Sequence, residues 1–134
     1  MDVKLSTENI RAMTLFEKIT KVHPKDCLIT ENALYFLVNA ESMGMAIGKN
    51  GTNIKELRRI SDKHVKIFAY ADTVEEFLRN IIPAIKSMEI SEGTVTVTVS
   101  QQDKVTVIGK NGDNINAIRT LLKRYFGVQT FKLR

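Results

Sequence analysis

Apolar residues in the first half of the chain recur at two different spacings, which predict helices and strands. After Ser6 and Thr7 the spacing is three or four residues, which is typical of an amphipathic helix with a hydroxyl cap. The apolar face of this helix consists of Ile10, Met13, Phe16, Ile19 and Val22. Short apolar runs at 27–30 and 34–38 then predict the two strands of a β-hairpin. The elements predicted after the hairpin are a helical turn over 42–47, a helix over 51–62 with Ile54, Leu57 and Ile60 directed inward, and a strand over 65–70.

The second half of the chain repeats this order of elements. Asp72 and Glu75 have the spacing of a capping box, which predicts the start of a helix that Pro83 ends. Two strands of a hairpin follow at 85–90 and 95–99. The elements predicted beyond them are a lead-in over 103–107, a helix lined by Ile115, Ile118, Leu121, Leu122, Tyr125 and Phe126, and a strand over 128–133. We therefore expect an α+β protein of two units, residues 1–71 and 72–134, which pack against each other because the linker is short.

One motif occurs in both halves, at the same place in the order of elements. Residues 47–54 read Ile-Gly-Lys-Asn-Gly-Thr-Asn-Ile, and residues 108–115, 61 positions later, read Ile-Gly-Lys-Asn-Gly-Asp-Asn-Ile. Over the fourteen positions that begin at Ile47 and at Ile108, eight residues are identical. Self-similarity of this kind indicates that one structural unit is present twice.

The two Gly-Lys-Asn-Gly loops have the chemistry of an anion site. Glycines allow the backbone to approach a ligand closely, and a helix that starts behind a loop directs amide groups towards it. Lys49 and Lys110 add positive charge, so phosphate is the expected ligand. The same glycines could also simply end one helix and begin the next, but the repeated Lys-Asn pair favours binding. Neither copy has the spacing of a P-loop or the third glycine of a dinucleotide fingerprint.

Positive charge is concentrated around these loops, although the net charge of the 134 residues is only +5. Residues 48–71 contain six basic and two acidic residues and 104–134 contain seven and one, whereas 72–103 contain two and six. This distribution favours a polyanionic partner, with a solvated basic face as the alternative. No apolar run is long enough to span a membrane. One cysteine and two distant histidines predict no disulfide, metal site or cofactor, and we expect a cytoplasmic protein.

The Ile-Gly-Lys-Asn-Gly sequence between two short helices resembles the KH RNA-binding module. Only 22 residues follow Gly112, enough for one helix and one strand, so the additional helix and hairpin must precede the loop. That order is the order of the type II, or prokaryotic, KH fold. Two such units in tandem resemble the KH pair of the NusA transcription factors, in the short, stand-alone form found in archaea. The segment from Met45 to Ile54 is also similar to the sequence of that family. The resemblance implies two three-stranded sheets, each packed against helices.

The resemblance also implies a mechanism, because KH modules hold about four unpaired nucleotides, with the loop against the backbone and the bases in an apolar groove. The residues expected to hold phosphates are Gly48, Lys49, Asn50, Gly51, Gly109, Lys110, Asn111 and Gly112. Those expected to floor the grooves, unless they only pack in the core, are Ile47, Ile54 and Ile67, and Ile108, Ile115 and Phe131. The basic residues expected to add sequence-independent affinity are Lys55, Arg58, Arg59, Arg119, Lys123 and Arg124.

Three functional classes are compatible with this sequence. The first, which we expect, is a transcription elongation or termination factor that contacts nascent single-stranded RNA, with RNA polymerase as a further candidate partner. The second is a ribosome-associated or rRNA-binding protein, since type II KH units also occur there. An enzyme is the third, but the sequence lacks paired carboxylates near a loop, a Ser/His/Asp set and a P-loop.

Overall fold

The computed structural model describes residues 6–134, which form two compact units that divide between Ala71 and Asp72. The elements of the first unit are, in order, α1 (Thr7–Thr20), β1 (Asp26–Ile29), β2 (Ala33–Asn39), α2 (Met43–Ile47), α3 (Thr52–Ser61) and β3 (His64–Tyr70). Those of the second unit are α4 (Val74–Ile81), β4 (Ser87–Ser91), β5 (Thr94–Thr98), α5 (Gln101–Ile108), α6 (Asp113–Phe126) and β6 (Thr130–Leu133). The predicted α+β fold with a three-stranded sheet in each unit is confirmed.

Each sheet combines an antiparallel hairpin with one parallel strand. The first sheet has the order β1-β2-β3, in which β1 is antiparallel and β3 is parallel to β2. The second sheet has the order β4-β5-β6 with the same strand directions. A parallel strand needs a crossover connection, and in each unit two helices joined by a Gly-Lys-Asn-Gly loop provide it. The loop therefore has the same topological position in both units.

The helices of the first unit cover one face of its sheet. Leu34, Phe36 and Val38 alternate along β2 and belong to this core, as the two-residue period of a strand requires. Phe16 of α1 stacks on Phe36 with ring centroids 4.2 Å apart. Leu57 of α3 is fully buried in the same cluster. Because burial of one such side chain contributes roughly 1.5–3 kcal/mol, these contacts hold α1 and α3 against the sheet.

The pairing registers show where the two units differ in length. Their hairpins correspond residue by residue at the same offset of 61 as the loops. The last strands do not correspond at this offset. Leu34 pairs with Val65, but Val95, the counterpart of Leu34, pairs with Phe131, which lies further along the chain than the offset requires. Most of the added length lies in α6, which has 14 residues where α3 has 10. Val65 and Phe131 therefore occupy equivalent positions.

The longer α6 also supplies an aromatic partner for the second core. Val97 of β5 stands where Phe36 stands in the first unit, so Phe77, the counterpart of Phe16, has no aromatic ring in that position. Phe126, in the last turn of α6, approaches Phe77 instead, with ring centroids 5.2 Å apart. The extension therefore places an aromatic ring against Phe77.

Some details of the predicted helices were wrong. Ile60 is 46% exposed, because six residues of helix turn through about 600° and so direct it away from Ile54. Ile10 is likewise 52% exposed. The cap of α4 is Thr73, whose hydroxyl accepts a hydrogen bond from an amide in the first turn, and not Asp72. The predicted lead-in over 103–107 is part of a full helix, α5.

Candidate nucleic-acid interface

The two Gly-Lys-Asn-Gly loops have the same backbone conformation. Gly48 and Gly109, which follow α2 and α5, have φ/ψ angles of 79°/165° and 76°/177°. Asn50 and Asn111 are left-handed, at 57°/28° and 54°/27°. The second glycines follow at 71°/20° and 76°/12°. The first conformation is essentially restricted to glycine and asparagine tolerates the second, so the repeated sequence produces a repeated loop shape.

Each loop is a single turn with few internal hydrogen bonds. The amide of the second glycine donates to the carbonyl of the first, at 3.1 Å in the first loop and 3.2 Å in the second. Among the residues that the structure describes, no backbone acceptor receives the amides of Lys49, Asn50, Lys110 or Asn111. All four side chains are exposed. Each loop therefore offers two amides and an ammonium group to an anion beside a helix N-terminus.

An asparagine two residues behind each loop connects the helices on either side of it. Nδ2 of Asn53 donates to the carbonyl of Met45 at 2.9 Å, and Nδ2 of Asn114 donates to the carbonyl of Val107 at 2.8 Å. Both acceptors lie in the last turn of the helix before the loop. Neither asparagine is among the site residues that the sequence predicts. The signal was available, since both belong to the eight identical positions of the repeat.

The basic residues behind the first loop are exposed, but their charges are not equally available. Lys55 and Arg58 lie on the exposed side of α3. Nε of Arg59 donates to Oε1 of Glu56 at 2.5 Å. This hydrogen bond lowers the pKa of Glu56 and raises the pKa of Arg59. Because Glu56 offsets the charge of Arg59, Lys55 and Arg58 contribute more to the positive potential of this surface.

In the second unit, an arginine of α6 contacts the edge strand β6. Nε and Nη2 of Arg119 donate to the carbonyl of Phe131 at 3.4 and 3.2 Å. Arg119, Lys123 and Phe131 line a pocket of about 340 Å³ between α6 and β6. Arg58, the counterpart of Arg119, lines a pocket of about 450 Å³ in the first unit. Lys123 is exposed and Arg124 is half-buried.

The apolar residues predicted to floor the grooves are less buried in the first unit than in the second. Ile47, Ile54 and Ile67 are all half-buried, so each both packs and presents part of its surface. Ile108 of the second unit is also half-buried, but Ile115 is only 7% exposed. A half-buried side chain can touch a base, whereas a buried one mainly supports its neighbours.

The sheet registers change the assignment of one groove residue. Phe131, 4% exposed, has the position of Val65, which is buried in the core of the first unit. Leu133, two residues further along β6, has the position of Ile67 and is half-buried in the same way. Leu133 is therefore the residue of the second unit that corresponds to Ile67.

The two loops differ in the residue that follows the second glycine. In the first loop this residue is Thr52, whose hydroxyl donates a hydrogen bond to the carbonyl of Lys49. In the second loop it is Asp113, the first residue of α6. A carboxylate is favourable at a helix N-terminus, and here it also lowers the positive charge around Lys110. The second loop is therefore the less electropositive of the two.

Other types of site find no support in residues 6–134. No helix there is long and apolar enough to cross a membrane, and no three His, Cys, Asp or Glu side chains are grouped as metal ligands would be. Cys27 is buried in the first core, where desolvation and the neighbouring Asp26 raise its thiol pKa to about 12.

Known proteins match this chain over both units. A KH domain model matches residues 10–77, and a model of the KH domain of KhpA/KhpB matches residues 71–134. "Probable transcription termination protein NusA" of Halococcus morrhuae is 34% identical, with 99% of each chain covered. The protein of that name from Methanocaldococcus jannaschii is 29% identical, with 98% of this chain and 75% of the relative covered. The crystal structure of APE1850 superposes with a TM-score of 0.78 at 34% identity and covers 97% of this chain and 100% of that one.

Proposed function

Because the chain belongs to the family of archaeal NusA-like proteins and carries two KH domains in tandem, we propose that it is a transcription elongation or termination factor that binds single-stranded RNA. Membership of this family implies RNA binding. The finer proposal is that both Gly-Lys-Asn-Gly loops hold phosphates of the RNA backbone while the bases lie in the adjacent grooves. The proposed role is non-enzymatic, and it is cytoplasmic because transcription in prokaryotic cells takes place there.

One observation carries this proposal, namely that a turn with the same sequence and the same backbone conformation occurs twice in one chain. Both copies combine the same torsion angles, an exposed lysine and two amides that no described backbone acceptor receives. A turn that only joined two helices would need its glycines, but it would need neither the lysine nor the unengaged amides. Convergent amides, positive charge and a helix N-terminus are the features with which proteins bind phosphate.

The bases are proposed to contact the half-buried apolar side chains beside each loop. These are Ile47, Ile54 and Ile67 in the first unit, and Ile108 and Leu133 in the second. Only unstacked bases can enter such a groove, so we propose a preference for single strands over duplexes. The basic residues proposed to contact further phosphates are Lys55, Arg58, Arg59, Arg119, Lys123 and Arg124. Ile115 and Phe131 are proposed to support the second groove from below.

The experiment that tests the loops reverses their charge without changing the core. Replacing Lys49 and Asn50 together with Asp should reduce the affinity for single-stranded RNA by about tenfold or more, because two carboxylates would then face the phosphate. Both side chains are exposed, so the free energy of unfolding should stay within about 0.5 kcal/mol of wild type. Affinity is measured by fluorescence titration, and stability by chemical denaturation.

A matched control separates the loop from the net charge. Replacing Thr14 and Lys18, which are exposed on α1, with Asp makes the same change in net charge away from the loops. Equal losses of affinity in the two variants would mean that only overall charge attracts the RNA. Unchanged affinity of the loop variant, with the fold intact, would exclude the first loop from the binding site. The same pair of changes at Lys110 and Asn111 tests the second loop.

RNA polymerase is proposed as a protein partner on the strength of the family alone. Purification of the tagged protein from its own cells should then recover polymerase subunits after nuclease treatment, since a direct contact does not depend on the transcript. Recovery of ribosomal subunits in place of polymerase would favour a ribosome-associated role.

A further inference from the structure

We infer that Asn53 and Asn114 are positioning residues of the two RNA-binding loops, and that the functional motif of this chain is Gly-Lys-Asn-Gly-x-Asn. This inference rests on the proposed function, because it concerns how the loops are held in the shape that binds phosphate. Neither residue needs to touch the RNA for this role. Each acts on the loop through the helices that flank it.

The first argument is the hydrogen bond that each asparagine makes across its loop. A helix leaves its last carbonyls without intrahelical partners. In each unit the amide of the first glycine donates a hydrogen bond to a carbonyl of the preceding helix, from Gly48 to Gly44 and from Gly109 to Val105, both at 3.0 Å. The asparagine side chain then satisfies one further carbonyl of the same last turn, at 2.9 Å in the first unit and 2.8 Å in the second. The end of one helix is thereby bonded to the beginning of the next.

The second argument is the contact between the asparagine and the first glycine of the loop. A Cβ atom built on Gly48 would lie 2.9 Å from Cγ and 3.0 Å from the backbone nitrogen of Asn53. One built on Gly109 would lie 2.7 Å from Cβ and 3.0 Å from the backbone nitrogen of Asn114. The asparagine thus packs directly on the glycine backbone in both units. This close approach, together with the positive φ, explains why glycine is required at that position.

These contacts constrain the loop at both of its ends. The first glycine is fixed by the packing of the asparagine, and the second glycine is the N-cap residue of the helix that carries the asparagine. The two residues between them, Lys49-Asn50 and Lys110-Asn111, are held by neither contact and are exposed. The asparagine therefore determines the separation of the two helix ends, and with it the direction of the intervening amides. Pre-organised amides bind an anion more strongly than amides that must be ordered on binding.

The test uses Asn53, which is only half-buried, because alanine is well tolerated in a helix at such a position. Asn53→Ala in the full chain should remain folded but bind a single-stranded RNA probe about three- to tenfold more weakly, the effect of about one hydrogen bond. The slope of log affinity against log salt should also decrease in magnitude by about 0.7, because Lys49 would no longer be held beside the phosphate that it neutralises. Asn9→Ala, on α1, is the matched control and should change neither quantity, since Asn9 is also half-buried and its Nδ2 donates to the carbonyl of Cys27 at 2.7 Å.

The salt slope separates positioning from a purely structural role. Lower thermal stability of Asn53→Ala with wild-type affinity and salt slope would overturn the inference, since the asparagine would then only support the fold. The variant in which Lys49 and Asn50 are both replaced with Asp tests the proposed function separately. If that variant loses affinity while Asn53→Ala does not, the loop binds RNA and the positioning role is wrong. If the double variant also binds as wild type, the proposed function of the loop itself is wrong.

Discussion

Replacement of Gly109 by Ala should destabilise the protein considerably more than replacement of Gly127 by Ala. Gly109 follows α5 and Gly127 follows α6, and both have positive φ, at 76° and 64°. At Gly127 the backbone is left-handed helical and a new Cβ would meet nothing within 4 Å. The cost there is the backbone term alone, roughly 1–2 kcal/mol. This substitution is therefore the control for the strain that any positive-φ residue causes.

The cost at Gly109 has two contributions, a larger backbone term and the loss of a hydrogen bond. Its ψ of 177° places it in a region that only glycine populates, which costs on the order of 1–3 kcal/mol for other residues. The new Cβ would also lie 2.7 Å from Cβ and 3.0 Å from the backbone nitrogen of Asn114, so the backbone that carries this side chain must move. Its hydrogen bond to Val107 would then break, at a cost of about 0.5–1.5 kcal/mol. The expected decrease in unfolding free energy is the sum of the two, about 1.5–4.5 kcal/mol.

The measurement is urea denaturation of the two variants and of wild type, followed by far-ultraviolet circular dichroism at one protein concentration. The expected order of midpoints is wild type, then Gly127→Ala, then Gly109→Ala. A loss of stability for Gly109→Ala that is equal to or smaller than the loss for Gly127→Ala would refute the reasoning. It would mean that the loop relaxes around the methyl group and that the contact with Asn114 is not restrictive.

Four further outcomes are expected. Asp113→Thr should raise the affinity of the chain for single-stranded RNA, because it removes a negative charge beside the second loop, and Thr52→Asp should lower it, because it adds one beside the first. Titrations that give the reverse order would exclude this charge effect. Single-stranded RNA should bind more tightly than a duplex of the same sequence, and equal affinity would leave only a basic patch in place of a groove. A flexible insertion of about ten residues after Ala71 should weaken binding of a strand long enough for both loops, but not of one with about four nucleotides, because a longer tether lowers the effective concentration; no change for the long strand would mean that the units bind independently. Cys27, whose pKa is raised to about 12, should stay protonated and unmodified by a thiol reagent at pH 8 until urea unfolds the chain, and rapid labelling of the native protein would contradict its burial.

The sequence predicted the elements and the loops well because their signals are local. Glycine, lysine and asparagine at fixed spacing determine a turn through their own torsional preferences, without help from distant residues. The periodic positions of Phe16 and Leu57 likewise identified faces that are buried. The same kind of signal failed for Ile60, since periodicity reports the direction of a side chain only near the centre of the apolar face.

The sequence did not predict the features that depend on contacts between distant residues of the chain or on the pairing register of the strands. The hydrogen bond from Asn53 to Met45 spans eight residues and two helices, so no single-helix pattern contains it. The sequence predicted Phe131, and not Leu133, as the groove residue of the last strand, the place that Ile67 has in the first unit. Only the pairing with β5 reveals that the extended α6 shifts this strand and puts Leu133 in that place. The partial neutralisation of Arg59 by Glu56 also depends on side-chain geometry.

The position of the length difference between the two units bears on how such a chain can evolve and be engineered. The offset of 61 holds through both hairpins and both loops and ends only where α6 leads into β6. The chain therefore contains two segments of equal length, 47–58 and 108–119, which we call cassettes. Each begins at the last residue of the helix before the loop and ends within the helix after it. The difference in length lies at the far end of the helix, where the ring of Phe126 approaches Phe77. Exchange of the two cassettes within the chain should give a folded protein, and new loop sequences can be introduced on the same boundaries.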